Sequence, residues 1–280
     1  MFRSAAAALL GLATIVAAPA AAATPFDAAI AGTHRSDANK ARDKYRHPAE
    51  TLSFFMIKPN MTVVEVSPGG GWYTEIIAPS LKDKGQYIGA HNNPAASAGA
   101  AAGAKKFADM LAAKPDVYGN AKVSAFGKGS YDIAPAGTAD RVVSFRNVHN
   151  WHMAGFAPEA FKAFYAALKP GGMLGIVEHR LPEDKPDELM KSSGYMKVSY
   201  IKKLAEDAGF TFVSASEINA NPKDTKDYPK GVWTLPPNFA EGDTDKAKYA
   251  AIGESDRATL LFIKGREAGG TRKKSGGGGR

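Results

Sequence analysis

Three short stretches concentrate residue types able to do chemistry. The first is Val63-Val-Glu-Val-Ser-Pro-Gly-Gly-Gly-Trp-Tyr-Thr-Glu75. Its glycines let backbone pass close to a ligand, and a helix opening just after them offers free N–H groups. The second is Phe145-Arg-Asn-Val-His-Asn-Trp-His152. His149 and His152 could act as general base or metal ligands, and Arg146 could hold a carboxylate. The third is Glu178-His179-Arg180. Three histidines invite zinc, but none form an i, i+4 pair on one helix, so no metal is expected. The chain has no cysteine, which excludes disulfides, thiolate catalysis, iron–sulfur clusters and cysteine zinc sites.

The elements needed to position these stretches can be read in order. Strands are predicted at Thr62–Val66, Gln86–Ala90, Lys122–Phe126, Arg141–Phe145, Met173–Glu178, Phe210–Ser214 and Ala258–Lys264, from β-branched runs bounded by turn residues. Helices are predicted at 40–45, 50–57, 72–81, 94–114, 158–168 and 198–208, the last capped by Gly209. Lys169-Pro-Gly-Gly172 reads as a turn into the fifth strand. The alternation predicts an α/β fold: a doubly wound, Rossmann-like, mostly parallel sheet. Such a sheet binds ligands at the carboxyl ends of its strands, where all three stretches fall.

A nicotinamide dinucleotide fits poorly. Gly69 and Gly71 begin G-x-G-x-x-G, but position 74 is Thr, and the second strand closes on His91-Asn92 without an acid. Instead, the first stretch resembles motif I of the class I S-adenosylmethionine-dependent methyltransferases. Glu65 holds the acidic place, Gly69 and Gly71 hold two glycine places, and Ser67 stands for the first glycine. Ala139-Asp-Arg-Val-Val-Ser144 resembles the strand-four motif, Ala167-Leu-Lys-Pro-Gly-Gly-Met-Leu174 the turn into strand five, and Ala205-Glu-Asp-Ala-Gly-Phe210 the helix end before strand six. The resemblance runs from about Ser53 to Lys264 and is closest to a group of exported bacterial methyltransferases. It implies seven strands with the last antiparallel, and S-adenosyl-L-methionine as cofactor.

By the same resemblance, Glu65, Ser67, Gly69, Gly71, His91, Asn92, Ser130 and Arg146 would hold the cofactor. His149, His179 and Asn147 would line one cavity beside its methyl group. Two departures stand out. His91-Asn92 replaces the acid that usually receives the ribose hydroxyls, so the charge-assisted bond is lost. Ser130 falls near the place of an adenine-binding acid, with Asp132 two residues on.

The ends have another character. Arg3, an apolar run to Ala18 and Ala21-Ala-Ala23 read as a secretory signal over residues 1–23, which predicts a periplasmic or secreted protein. A membrane anchor is the alternative, but the run is short and Ala-rich. Residues 24–57 read as a helical segment, 58–266 as the main domain, and 267–280 as a disordered basic tail. The formal charge is +8 over 280 residues, but five basic residues lie in the signal and tail, leaving 31 basic against 28 acidic. That balance lacks the basic stripe of a nucleic-acid binder, so a small-molecule substrate is expected, with no stable membrane insertion after signal removal. Residues 219–254, rich in Pro, Asn and Asp, read either as a lid supplying Tyr228, Lys230 or Trp233, or as an excursion covering the sheet. Two functions stay open: methyl transfer to a small molecule or protein side chain, or a ligand-binding module that keeps the fold without catalysis.

Overall fold

The computed structural model describes residues 23–265; the signal-like segment to Ala22 and the basic tail lie outside them. Eight strands form one sheet: β1 Thr62–Val66, β2 Gln86–Asn92, β3 Lys122–Phe126, β4 Ala139–Phe145, β5 Leu168–Leu181, β6 Met196–Lys197, β7 Phe210–Ser216 and β8 Arg257–Lys264. The order is β3-β2-β1-β4-β5-β8-β7, and β6 pairs with the end of β5. Pairing is parallel from β3 to β5, and β8 runs antiparallel to both β5 and β7. The order reverses between β1 and β4, so the crevice at their carboxyl ends is the switch point where open α/β sheets bind ligands.

The sheet is buried on both faces because β1, β4 and β5 are near-continuous apolar runs. Val64, Val142 and Ile176 pack with Phe161 and Phe164 on one side. Val63, Val143 and Val177 pack with Leu52, Phe55, Ile76 and Phe107 on the other. Each of those large side chains contributes about 1.5–3 kcal/mol by leaving water. The segment before β1 thus forms part of the second layer: Leu52 and Phe55 are fully buried.

Several elements differ from the sequence reading. The expected helix at 40–45 is two single turns, Asp37–Lys40 and Asp43–Arg46. The alanine-rich helix starts late, at Ala98, because the Ser97 hydroxyl accepts from the Ala100 N–H at 3.1 Å and sets the cap. Lys169–Gly172 is not a free turn but the bulged start of β5, with Gly171 at φ 79° and a register shift against β4. The eighth strand, β6, is only two residues long and carried no legible signal. A helix that the sequence did not predict, Val148–Met153, follows directly after β4.

Candidate functional site

The loop after β1 is shaped by backbone that few residues adopt. Ser67 has φ 54°, Gly69 59° and Gly71 84°. The left-handed value at Ser67 explains why the methyltransferase motif puts glycine there. A side chain on Gly69 would meet nothing within 4 Å, whereas a Cβ on Gly71 would lie 2.8 Å from Met110 Cε. Gly71 therefore serves packing against the helix Ala98–Ala112 and does not face the crevice. A valine at Gly71 would first displace Met110.

Glu65 is also turned away from the crevice. It is buried, and its Oε2 accepts from Thr74 Oγ1 at 2.8 Å and Tyr87 OH at 2.7 Å. Burial pushes its carboxyl up to about 7, against those two hydrogen bonds. It braces the start of the helix Thr74–Leu81. His91 is buried as well: Nε2 lies 3.2 Å from the Gly69 carbonyl and the ring sits 5.1 Å from that of Phe107. Burial lowers its pKa, so it is a neutral donor to the loop, with Nδ1 buried and unpartnered. Strand alternation then puts Asn92 on the exposed side. Ser130 bonds back to the Ala125 carbonyl at 3.3 Å.

A cavity of about 430 Å³ opens at this edge, lined by Ser67, Gly69, Asn92, Phe126, Gly127, Asn147, Asn150, Trp151, Ala154 and Phe156. Its volume suits a small ligand. Phe126, Trp151 and Phe156 give an apolar side for a flat ring, while Asn92, Asn147 and Asn150 give neutral hydrogen-bonding groups. Of the residues expected to hold a cofactor, Ser67, Gly69 and Asn92 line it; Glu65, Gly71, His91 and Ser130 support it from behind or stand beside it.

At the end of β4 the backbone turns sharply. Arg146 has φ 65°, and its N–H donates to the Val177 carbonyl at 2.7 Å. Asn147 Nδ2 donates to the Ser67 carbonyl at 3.1 Å, tying the two loops together. The helix Val148–Met153 then carries His149 inward. His149 Nδ1 lies 2.9 Å from Glu178 Oε1, and Glu178 also accepts the His149 and His179 backbone N–H groups. The two imidazole rings are 5.3 Å apart. His179 Nδ1 contacts Ser255 Oγ at 2.5 Å; burial first, with Arg146, Arg257 and Arg46 nearby, presses its pKa well down, so it is neutral.

The two histidines line a second cavity of about 190 Å³, walled also by Arg146, Asn150, Trp233 and Glu254, among others, with Glu178 buried behind His149. Asn147 is not in it, so the expectation that Asn147 and both histidines share one cavity is corrected: the bend after β4 sends Asn147 to the crevice and His149 away from it. Asn150 borders both cavities. Ligand atoms of His149, Glu178 and His179 lie within 4.8 Å of one another, a grouping that could bridge a cation. Arg46, Arg146 and Arg257 all act on His179, and their charge opposes a cation there. His152 stands apart, bonded to Tyr200 OH at 2.8 Å. From residues 219–254, Val232, Trp233 and Pro236–Asn238 cover this cavity, while Tyr228 bonds Thr225 N and Lys230 the Ala240 carbonyl.

A third cavity, about 240 Å³, lies on the other side of Arg146, between the glycine loop and Arg42 and Arg46. The segment before β1 brings these arginines in. Arg35 and Arg46 flank Trp72 at 5.0 and 4.6 Å, and Trp72 Nε1 donates to the Asn39 carbonyl at 3.0 Å. Sequence reasoning missed Glu178, Asn150, Arg42, Arg46 and Glu254. Glu178 and Asn150 stand inside the polar stretches, beside His179 and His149; Arg42, Arg46 and Glu254 lie on distant segments with no local motif.

No protein-family model matches the chain, and no curated protein matches it. Solved structures do. An S-adenosylmethionine-dependent methyltransferase from Aquifex aeolicus aligns over 80% of this chain and 92% of its own, at 15% identity and a TM-score of 0.54. One from Methanosarcina mazei aligns over 77% and 98%, at 12% and 0.52. The chain has the class I methyltransferase fold. The cyclase SpnF shares that methyltransferase fold, over 84% of this chain and 85% of its own, at 16% identity and a TM-score of 0.54. Identities this low carry the fold, and the chemistry has to be argued from the site.

Proposed function

We propose that the protein transfers a methyl group from S-adenosylmethionine to an acceptor held against His149. The observation that carries this is a ligand-sized crevice at the switch point, bordered through Asn150 by a buried histidine–glutamate pair. Bound there, S-adenosylmethionine would supply an electrophilic methyl group on a sulfonium. Ser67, Gly69 and Asn92 would hold its polar parts, and Phe126, Trp151 and Phe156 its base. Asn92 offers neutral hydrogen bonds to hydroxyls where related enzymes use an acid, which suits the cofactor at lower affinity.

Methyl transfer needs alignment, and a base when the nucleophile carries a proton. With Nδ1–H donated to Glu178, His149 presents Nε2 as the acceptor of that proton. Glu178 fixes the tautomer and offsets the charge the ring gains, so it is a positioning residue. Asn147 positions the Ser67 loop. Trp233 and its neighbours exclude water from the histidines.

Calorimetric titration with S-adenosylmethionine and S-adenosylhomocysteine tests the reading. Saturable binding is expected, and His149→Ala should leave S-adenosylhomocysteine affinity within about twofold while lowering methyl transfer by about a hundredfold or more. No heat and no thermal shift at millimolar cofactor would sink it. The second reading, a binding module without transfer, draws on the neutral Asn92 position and predicts ligand binding with no demethylated product. We also propose that residues 1–23 direct export; an uncleaved N-terminus in the cytoplasmic fraction, found by mass spectrometry, would overturn that.

A further inference from the structure

Methyl transfer as proposed above gives His179 no part, yet its ring lies 5.3 Å from that of His149 and lines the same cavity. Hydrogen bonds behind the two rings fix where their protons sit. Glu178, fully buried, accepts from His149 Nδ1, which leaves His149 with a lone pair on Nε2. Behind His179 stands Ser255 Oγ, which accepts from Arg257 Nε at 3.2 Å. Its own hydrogen has a single acceptor among the described residues, His179 Nδ1. Burial and the nearby arginines keep His179 neutral, so its ring has one proton. With Nδ1 accepting, that proton sits on Nε2. Neither Nε2 has a protein hydrogen-bond partner among the described residues. The cavity thus offers one acceptor and one donor side by side.

We infer that the methyl acceptor is the oxygen of an acidic hydroxyl, a phenol or enol, on a small molecule, with its O–H facing His149 and His179 donating to the same oxygen. The inference rests on the function proposed above. A neutral amine nitrogen has one lone pair, so a bond from the His179 N–H would leave none for the methyl group. An ammonium has no lone pair, and its arrival would leave that N–H unpaired in a buried place, which is costly. A thiol is a weak partner to both rings. A hydroxyl oxygen has two lone pairs: one accepts from His179 Nε2, and the other forms the new O–C bond. The C–S bond of the sulfonium breaks with its electron pair staying on sulfur, and the hydroxyl proton passes to His149 Nε2. An imidazole base, ordinarily near about 6.5, is far better matched to a hydroxyl of about 10, as in a phenol, than to an aliphatic alcohol. Trp233, Pro236 and Pro237 wall the cavity with flat apolar surface, which suits a ring. Its volume of about 190 Å³ is below the usual range of about 300–1,000 Å³ for ligand pockets, and fits the reacting end of a small molecule.

Titration of the whole protein with phenol, aniline and toluene, each with and without saturating S-adenosylhomocysteine, tests the inference. Phenol should bind saturably at millimolar concentration, about tenfold more tightly than aniline or toluene, a difference the size of one or two hydrogen bonds. His179→Phe should erase that preference. His179→Gln should restore most of it, because its amide N–H reaches the place of Nε2; a purely structural role would not separate the two variants by ligand. Nitrogen-15 NMR of the wild-type histidines needs no variant: His179 should carry its proton on Nε2 and His149 on Nδ1. Equal affinity for phenol and aniline overturns the inference, and so does a proton on His179 Nδ1. Saturable S-adenosylhomocysteine binding alongside either of those results leaves methyl transfer standing without this acceptor. A phenol preference with no S-adenosylhomocysteine binding keeps the hydroxyl-binding pair and removes the methyl-transfer reading.

Discussion

Glu65 shows how a residue in a binding motif can act without touching the ligand. Its carboxylate sits behind the glycine loop, held by Thr74 and Tyr87. Burial raises its pKa from an ordinary 4.5 to about 7. A raised carboxyl favours the native state fully below the ordinary value and loses that contribution as pH rises through the folded one. Wild-type stability should therefore decline between about pH 4.5 and 7 from this group, by up to about 3 kcal/mol. Glu65→Gln keeps an acceptor for both hydroxyls and should flatten that decline, so it should be more stable than wild type at pH 8 and close to it at pH 4.5. Urea unfolding at the two pH values measures the difference. A second residue-scale expectation concerns Ser67, whose φ of 54° suits glycine. Ser67→Gly should be neutral or stabilising by up to about 1 kcal/mol, read from the urea midpoint.

Among the elements, the strands reach the helices through small residues at close approaches. A Cβ on Gly175 of β5 would lie 2.6 Å from the ring of Phe55, which follows the helix Pro48–Phe54. A Cβ on Gly89 of β2 would lie 2.6 Å from the ring of Phe107 on the helix Ala98–Ala112. Overpacking at such points costs about 1–3 kcal/mol, because neither backbone nor a buried ring can yield far. Gly175→Ala should lower unfolding free energy by that amount, and shrinking the partner with Phe55→Leu should recover part of it in a double-mutant cycle. Additive losses from the two changes would contradict the contact. The helix Val148–Met153 matters for another reason: it converts the polar stretch after β4 into a rigid mount that turns His149 toward Glu178.

Over the whole molecule, Glu254 joins the two ends of the described chain. Arg46 lies 208 residues away in sequence and donates to it, as do Arg42 and the neighbouring Arg257. Burial alone would raise the Glu254 carboxyl, but the Arg257, Arg46, Arg146 and Arg42 charges outweigh it and hold the pKa down at about 2. A depressed carboxyl contributes stability above its ordinary value and loses it as pH falls through the folded one. Acid unfolding should therefore include a step between about pH 4.5 and 2. Glu254→Gln should remove that step and cost about 3–5 kcal/mol at pH 7, since four cations would lose their one carboxylate. Denaturant unfolding at pH 7 and pH 3 checks both parts.

Local chemistry wrote much of this protein into its sequence. β-branched runs between turn residues marked seven strands, and the ends of β1, β3 and β8 agree with the structure within a residue. The glycine loop and the polar run after β4 were visible because their residue types fall at strand ends, where a doubly wound sheet must place its site. Faces and distant partners were decided by tertiary packing. His91 faces inward and Asn92 outward because β2 is held between β1 and β3. Gly71 meets Met110, and His149 meets Glu178, through the docking of helices onto the sheet and its loops, which no short pattern records. The arginine cavity is the extreme case. Arg42 and Arg46 have no motif, and they become a site only because the segment before β1 folds over Trp72 and meets Glu254 from the far end of the chain.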